Sequence, residues 1–337
     1  MVSILHVLIQ VILLVILYHH FIVIILTSII VSCTVNKKRI TSSEMVLVPA
    51  GEFVMGSTDS INFPDEYPPH QVSIKSFLMD KYEVTNNQFN EFVTKTGYIT
   101  TAERVFKIYD EIKRDSINKK GSLVFQKPNI SKIGKIDHWE WWKWEDNASW
   151  KHPNGPGTSI KDKMNHPVIH ISWYDARQYA KWVGKRLPTE AEWVWAIKYQ
   201  SRNSSYIFPW GNRFPPRNDY GNYADTAAQK LLPNIIPNYN DGYSSTSPAG
   251  SFRSNSLGIY DGSGNVSEWI SDYYSIPTPG VPDVIKDPRG PKSGTQHVIR
   301  GSSWRHANIT QLRHSYRDFG NEGRIDVGFR IARNTDD

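Results

Sequence analysis

Apolar residues fill the first 32 positions almost without a break, and no Lys, Arg, Asp or Glu occurs among them. Such a stretch is a membrane or export segment rather than part of a globular core. After it the pattern changes. Residues 34–44 are polar and predict a tether, and from Met45 onward short apolar runs alternate with turn residues. Met45-Val46-Leu47-Val48 before Pro49, and Gly51-Glu52-Phe53-Val54-Met55-Gly56 after it, predict two short strands around a turn, with further strand signals from Val72 to Met79. Three segments carry helical spacing. Thr85 caps the first, with Phe89, Phe92 and Val93 on one face and Gly97 closing it. Ser172 and Asp175 begin the second, which carries Ala176, Tyr179, Ala180 and Val183 and ends at Gly184. Thr189 and Glu192 form the capping pair of the third, with Trp193 and Ala196 inward.

Between the helices, residues 110–165 are charged and aperiodic, with Trp139, Trp141, Trp142, Trp144 and Trp150 bunched together. The bunch predicts either a binding groove or an aromatic mini-core under a long loop. Residues 201–295 are rich in Gly, Pro, Asn, Ser and Tyr, so their backbone is held by turns and by bound ions. Three helices, several short strands and long turn-rich tracts, with 12 Trp and 17 Tyr to build the core, predict a loop-rich α+β domain.

The organisation expected is residues 1–33 as export segment, 34–44 as tether and 45–337 as the folded domain. Ile30-Val31-Ser32-Cys33 resembles a bacterial lipobox, in which the cysteine is lipidated and becomes the mature N-terminus. Cys33 is the single cysteine of the chain, which excludes chemistry that needs a cysteine pair. The alternative is an uncleaved anchor helix. No basic residue precedes the apolar run, whereas Lys37, Lys38 and Arg39 follow it. Both readings place the domain at the cell envelope, on a membrane and facing the periplasm or the outside. The net charge of +6 is spread along the chain with no basic run, so no nucleic-acid partner is expected.

Longer motifs follow one another in order: Tyr82-Glu83-Val84-Thr85-Asn86, His166-Pro167-Val168-Ile169-His170-Ile171-Ser172-Trp173, and Gly184-Lys185-Arg186-Leu187-Pro188-Thr189-Glu190-Ala191-Glu192-Trp193. Phe208-Pro209-Trp210-Gly211-Asn212, Gly264-Asn265-Val266-Ser267-Glu268-Trp269, Arg300-Gly301-Ser302-Ser303-Trp304 and Val327-Gly328-Phe329-Arg330 continue the series. With the Met45–Gly56 segment, these resemble the formylglycine-generating enzyme family, also called the sulfatase-modifying factor family, over residues 45 to about 334. The resemblance implies a compact α+β fold with little regular structure, related to C-type lectin domains.

It also implies two calcium ions. One would be held by the side chains of Asn222 and Asp241 with carbonyls of Tyr223 and Tyr243. The other would take Glu268 and Asn265 with carbonyls of Ser263, Gly264 and Val266. Calcium suits such loops because it takes six to eight oxygens, carboxylate and carbonyl alike.

Active members bind copper through two cysteines and use oxygen to convert a substrate cysteine to formylglycine. Here those positions hold His306 and Gln311, and an imidazole with an amide does not replace a soft thiolate pair. Copper is therefore not expected. A different metal on His306 with His297, His314 or Asp318 finds no supporting ligand spacing. Arg300, Arg313, Arg317 and Arg330 are expected to pair with acidic groups or backbone inside the fold. A substrate groove would involve Glu83, Trp142 and Trp304, though Ile108 replaces a groove position with an apolar side chain.

Two functions follow. One is a calcium-stabilised accessory lipoprotein that binds a peptide or protein at the envelope, a pattern that resembles the gliding and secretion lipoproteins that keep the domain without the cysteines. The other is an oxidoreductase of the family, maturing sulfatases or running another metal-dependent oxidation.

Overall fold

The computed structural model describes residues 44–58, 61, 63–110, 115–126, 141–199, 206–277 and 284–336. Cys33, the apolar leader, residues 34–43 of the tether and Trp139 lie outside the described residues.

Strands β1 (Met45–Val48), β2 (Gly51–Met55), β3 (His70–Ile74) and β4 (Phe77–Asp80) follow one another, yet β1 and β2 do not pair. β1 runs antiparallel to β4, and β2 antiparallel to β3. The two expected strands and the turn between them are present, and the strands belong to two different sheets. Pro49 has no N–H for a ladder, and its carbonyl accepts the indole N–H of Trp195 at 2.9 Å. The run from Val72 to Met79 is likewise cut in two at Lys75-Ser76, which turn the chain from one sheet to the other.

Helix α1 (Asn86–Thr96) follows, then the antiparallel pairs β5 (Phe106–Asp110) with β6 (Asp115–Lys119), and β7 (Gly121–Phe125) with β8 (Trp142–Asp146). Helices α2 (Trp173–Trp182) and α3 (Glu190–Lys198) complete the set that the periodicity predicts. All three carry reciprocal capping boxes, Thr85 with Gln88, Ser172 with Asp175 and Thr189 with Glu192, which satisfy N–H groups left open at a helix start. Gly97 closes α1 in the left-handed conformation at φ 68°.

After a long irregular tract come β9 (Ser267–Tyr273), β10 (Val284–Lys286), β11 (His297–Arg300), β12 (Arg317–Gly320), β13 (Val327–Gly328) and β14 (Ala332–Asn334). β9 and β11 to β13 form a sheet in the order β12-β11-β9-β13. β10 adds to β3, and β14 returns to β4, so the chain end completes a sheet begun near residue 45.

The core is largely aromatic. Phe89 packs edge-on to Trp150 and Phe92 and stacks with Tyr179, joining α1 and α2 to Trp269 of β9 and to Phe329. A second cluster sets Ala191, Val194 and Ile197 of α3 against Val48, Val72 and Met79 of the first two sheets. Large rings bury 150–250 Å² each, which lets three short helices and small sheets hold a chain with long irregular loops.

Candidate functional site

The two positions expected to hold cysteines in active relatives lie beside a cavity of about 630 Å³ lined by Trp141, Trp142, Gln311, Tyr316, Asp318 and Arg324, among others. β12 and the segment leading into it supply Tyr316 and Asp318, and the loop after β11 supplies His306 and Gln311. His306 is fully buried. Its Nδ1 accepts the Ser303 N–H at 3.1 Å, while Nε2 has no hydrogen-bond partner among the described residues. Burial, followed by the charge of Arg305, pushes its pKa down to about 3, so the ring is neutral. Gln311 lines the cavity, with its carbonyl accepting from Ser302 Oγ at 2.9 Å.

Charge in this cavity is internally matched. Arg324 pairs with Asp318 at 2.7 Å and Asp326 at 3.1 Å, and Arg305 pairs with Asp326 at 2.6 Å. Burial opposes ionisation of Asp326, but Arg324 and Arg305 outweigh it and hold the carboxyl well below the usual range. Both guanidiniums also lie over Trp142, at 4.7 Å for Arg305 and 5.5 Å for Arg324. A flat, polar-rimmed aromatic wall of this kind can hold an extended peptide or another planar group.

The tryptophan bunch divides between its two readings. Trp150 is core, Trp141 stacks on Phe125, and half-buried Trp142 faces the cavity. Of the other expected groove residues, Trp304 is buried, with its indole N–H directed at the Ile325 carbonyl. Glu83 is 1% exposed, so it is corrected to an interior residue. Its carboxylate accepts from Asn265 Nδ2 at 3.2 and 3.4 Å, and burial, then the charge of Asp261, raises its pKa well above the carboxylate range.

The first expected calcium set converges. Asp241 accepts the N–H groups of Tyr223 at 2.9 Å and Tyr243 at 2.8 Å. Asn222 donates to the Ser245 carbonyl at 2.7 Å and leaves its buried Oδ1 without a partner. Asp225, which the sequence did not single out, accepts the Asp241 N–H. No cation partner for Asp225 or Asp241 occurs among the described residues. Burial, with Asp225 adding repulsion, raises Asp241 to about 7. An orphaned amide oxygen beside two carboxylates fits a hard cation.

The second set differs. Glu268 is engaged by Arg330 through Nε at 2.8 and 2.9 Å and Nη2 at 2.7 Å, and by Trp193 Nε1 at 2.8 Å. In this structure its charge is matched by Arg330. The Ser263 carbonyl accepts the Tyr223 hydroxyl, and Asn265 Oδ1 accepts the Ser247 N–H at 2.8 Å. Gly264 sits at φ +149°, where an added Cβ would lie 3.2 Å from the Asn222 nitrogen. It is required for the close approach of the two loops. Val266 is buried behind it.

The loops also brace the cavity, because Ala224 N–H donates to the His306 carbonyl at 3.1 Å and Trp304 N–H to the Asn265 carbonyl at 2.9 Å. The four arginines pair inside the fold as expected. Arg313 is bidentate to Glu66, Arg317 to Glu190 and Arg330 to Glu268, while Arg300 donates to the carbonyls of residues 314–316. Sequence reasoning missed Arg305, Arg324 and Asp326. Arg305 is the sequence neighbour of His306, whereas only the fold brings Arg324 and Asp326 to it.

The family model described as sulfatase-modifying factor enzyme 1-like domain matches residues 32–335. The chain is 39% identical over 267 residues to a formylglycine-generating enzyme of Thermomonospora curvata, covering 77% of this chain and 82% of that one. It is 37% identical over 273 residues to the formylglycine-generating enzyme of Mus musculus, covering 80% and 68%. A Bos taurus protein named inactive C-alpha-formylglycine-generating enzyme 2 is 33% identical over 267 residues, covering 77% and 76%. Among solved structures, PvdO from Pseudomonas aeruginosa shares the fold at a TM-score of 0.58 and 24% identity, over 88% of this chain and 95% of that one. The chain belongs to the sulfatase-modifying factor, or formylglycine-generating enzyme, family.

Proposed function

We propose that this protein is a binding member of its family that has given up the copper oxidase reaction and holds a peptide or protein segment in the Trp142–Gln311 cavity. The observation that carries this reading is the pair His306 and Gln311. A buried neutral imidazole, with one nitrogen already used by the Ser303 N–H, supplies neither the charge nor the soft donors of two thiolates. The relative named as inactive supports the idea that the family includes members without the activity.

Asn222, Asp241 and Asp225 would hold a calcium ion, stiffening the loop that carries Ala224 and so the backbone of His306. Lipidation at Cys33 would tether the domain to a membrane with its cavity facing the periplasm or the outside. Labelled fatty-acid incorporation, lost in Cys33→Ser, tests the anchor.

The decisive experiment incubates the full chain, supplied with copper(I) and oxygen, with a cysteine-containing peptide and measures aldehyde formation by mass spectrometry. No aldehyde is expected, while the same peptide remains a candidate for non-covalent binding. Turnover would overturn the reading in favour of an oxidase.

A further inference from the structure

A second cavity, of about 550 Å³, lies apart from the one beside His306 and has been given no role above. Alternation along the chain into β12 separates the two. Tyr316 and Asp318 line the first cavity, whereas Ser315 and Arg317 line the second. The rim of the second is apolar, with Met55, Ile276, Pro277, Ile285 and Pro288.

Its floor is ionic and unevenly matched. Glu66 is bidentate to Arg313 at 2.6 Å, and Glu190 is bidentate to Arg317 and lies 3.7 Å from Arg300. Asp65 receives the Tyr274 hydroxyl at 2.9 Å and has Arg317 at 4.0 Å. Asp272 is different. It is 4% exposed and accepts only neutral donors, the Glu190 N–H at 3.1 Å and the Ser271 hydroxyl at 2.9 Å. No cation pairs with it among the described residues. The floor therefore sets four carboxylates, Asp65, Glu66, Glu190 and Asp272, against three guanidiniums, Arg300, Arg313 and Arg317, with the His70 imidazole lining the cavity and acting on Glu190 rather than on Asp272. Exposed Arg289 stands at the mouth, where water screens it. Burial, with the charge of Glu190 second, pushes the Asp272 carboxyl up to about 7, as expected for a buried acid without a counter-charge.

We propose that this cavity is a binding site for a primary ammonium group carried on an apolar body, with Asp272 as the anion that receives it and the side chains of Met55, Ile276, Pro277, Ile285 and Pro288 as the wall that covers its carbon skeleton. A buried carboxylate gains from a charged partner that donates hydrogen bonds, and an apolar pocket with few converging polar groups suits a small ligand. The ammonium can come from a free amine or from a lysine side chain of a polypeptide.

Fluorine NMR on the full chain in lipid nanodiscs, with para-fluorobenzylammonium as probe, tests the site. Saturable binding is expected, with para-fluorobenzoate at least about tenfold weaker, the difference a charge-assisted hydrogen bond makes. Asp272→Asn should weaken the amine by a similar factor. Asp272 also receives the first N–H of α3, so Ile276→Lys, placed on the exposed rim, provides a second variant that supplies a competing cation without touching that cap. It too should displace the amine. Competition by Nα-acetyl-lysine amide below the concentration at which benzylammonium competes assigns the polypeptide source, and the reverse order assigns the free amine. Equal binding of amine and benzoate, or amine binding unchanged in both variants, would overturn the proposal.

Discussion

Two acidic clusters lie on neighbouring loops and solve the same electrostatic problem differently. At Glu268 the protein supplies its own counter-charge, a bidentate Arg330 assisted by Trp193, with every group buried. At Asp225 and Asp241 no guanidinium or ammonium arrives from the described residues, an amide oxygen of Asn222 has no partner among them, and the carboxyl of Asp241 is raised to about 7. The first cluster is complete as folded, whereas the second keeps an orphaned oxygen beside two carboxylates and would be completed by the proposed calcium ion. The difference teaches that carboxylates on neighbouring loops can differ in whether the chain itself supplies their counter-charge. What matters is whether an arginine from another part of the chain has already taken the carboxylate.

The strongest way to break the comparison is to remove one half of the complete pair. Arg330→Ala leaves the Glu268 charge buried and should cost about 3–5 kcal/mol of unfolding free energy in denaturant melts. A loss below about 1 kcal/mol would show that Glu268 has another partner, reopening it as a metal ligand.

Calcium gives the next effect. At a hundredfold excess over its dissociation constant the ion should stabilise by about 2.7 kcal/mol, and a chelator should lower the melting temperature. Asp241→Asn should erase that difference. If the chelator acts equally on both proteins, the ion sits elsewhere. The sign with pH follows from the raised carboxyl. In the unfolded chain Asp241 releases its proton near 3.8, and in the folded one near 7. In chelator, its contribution is therefore at its best below 3.8, declines as pH rises to about 7 and is flat above. Calcium needs the ionised carboxylate, so the gap between melts with and without the ion should widen over the same range.

His306→Ala removes the acceptor of the buried Ser303 N–H and should cost about 1–3 kcal/mol, with no change in calcium response. A loss of calcium response instead would show that the cavity and the ion loop are one unit. Smallest is Lys95→Ala, which breaks an exposed pair with Glu91 one helical turn away and should cost about 0.3–0.5 kcal/mol, setting the scale for a pair that water already satisfies.

Local signals were legible wherever a short segment decides its own structure. The three capping boxes and the helical spacing of Phe89, Phe92 and Val93 gave the helices, and the turn-rich composition gave the irregular tract before β9, although β9 and β10 inside residues 201–295 were not read as strands. Pairing was not legible. Met45–Val48 and Gly51–Met55 read as two strands around a turn, but nothing local told that they pair with β4 and β3 rather than with each other, while Trp195, almost 150 residues away, holds the Pro49 carbonyl. The site divides along the same line. His306 and Gln311 could be placed by their spacing from Arg300-Gly301-Ser302, but Glu83 could not be known as interior.

By itself, the amino-acid sequence determined the class of fold, the family, and the absence of a thiol pair from the folded domain, because each is written in residue types or in spacings of a few positions. Only tertiary structure decided which charges are matched. Arg330 reaches Glu268 across 62 positions and Arg313 reaches Glu66 across 247, while Asp241 and Asp272 receive no cation from the described chain. Counter-charge is a property of three-dimensional neighbourhood at a few ångströms, and sequence distance carries no information about it.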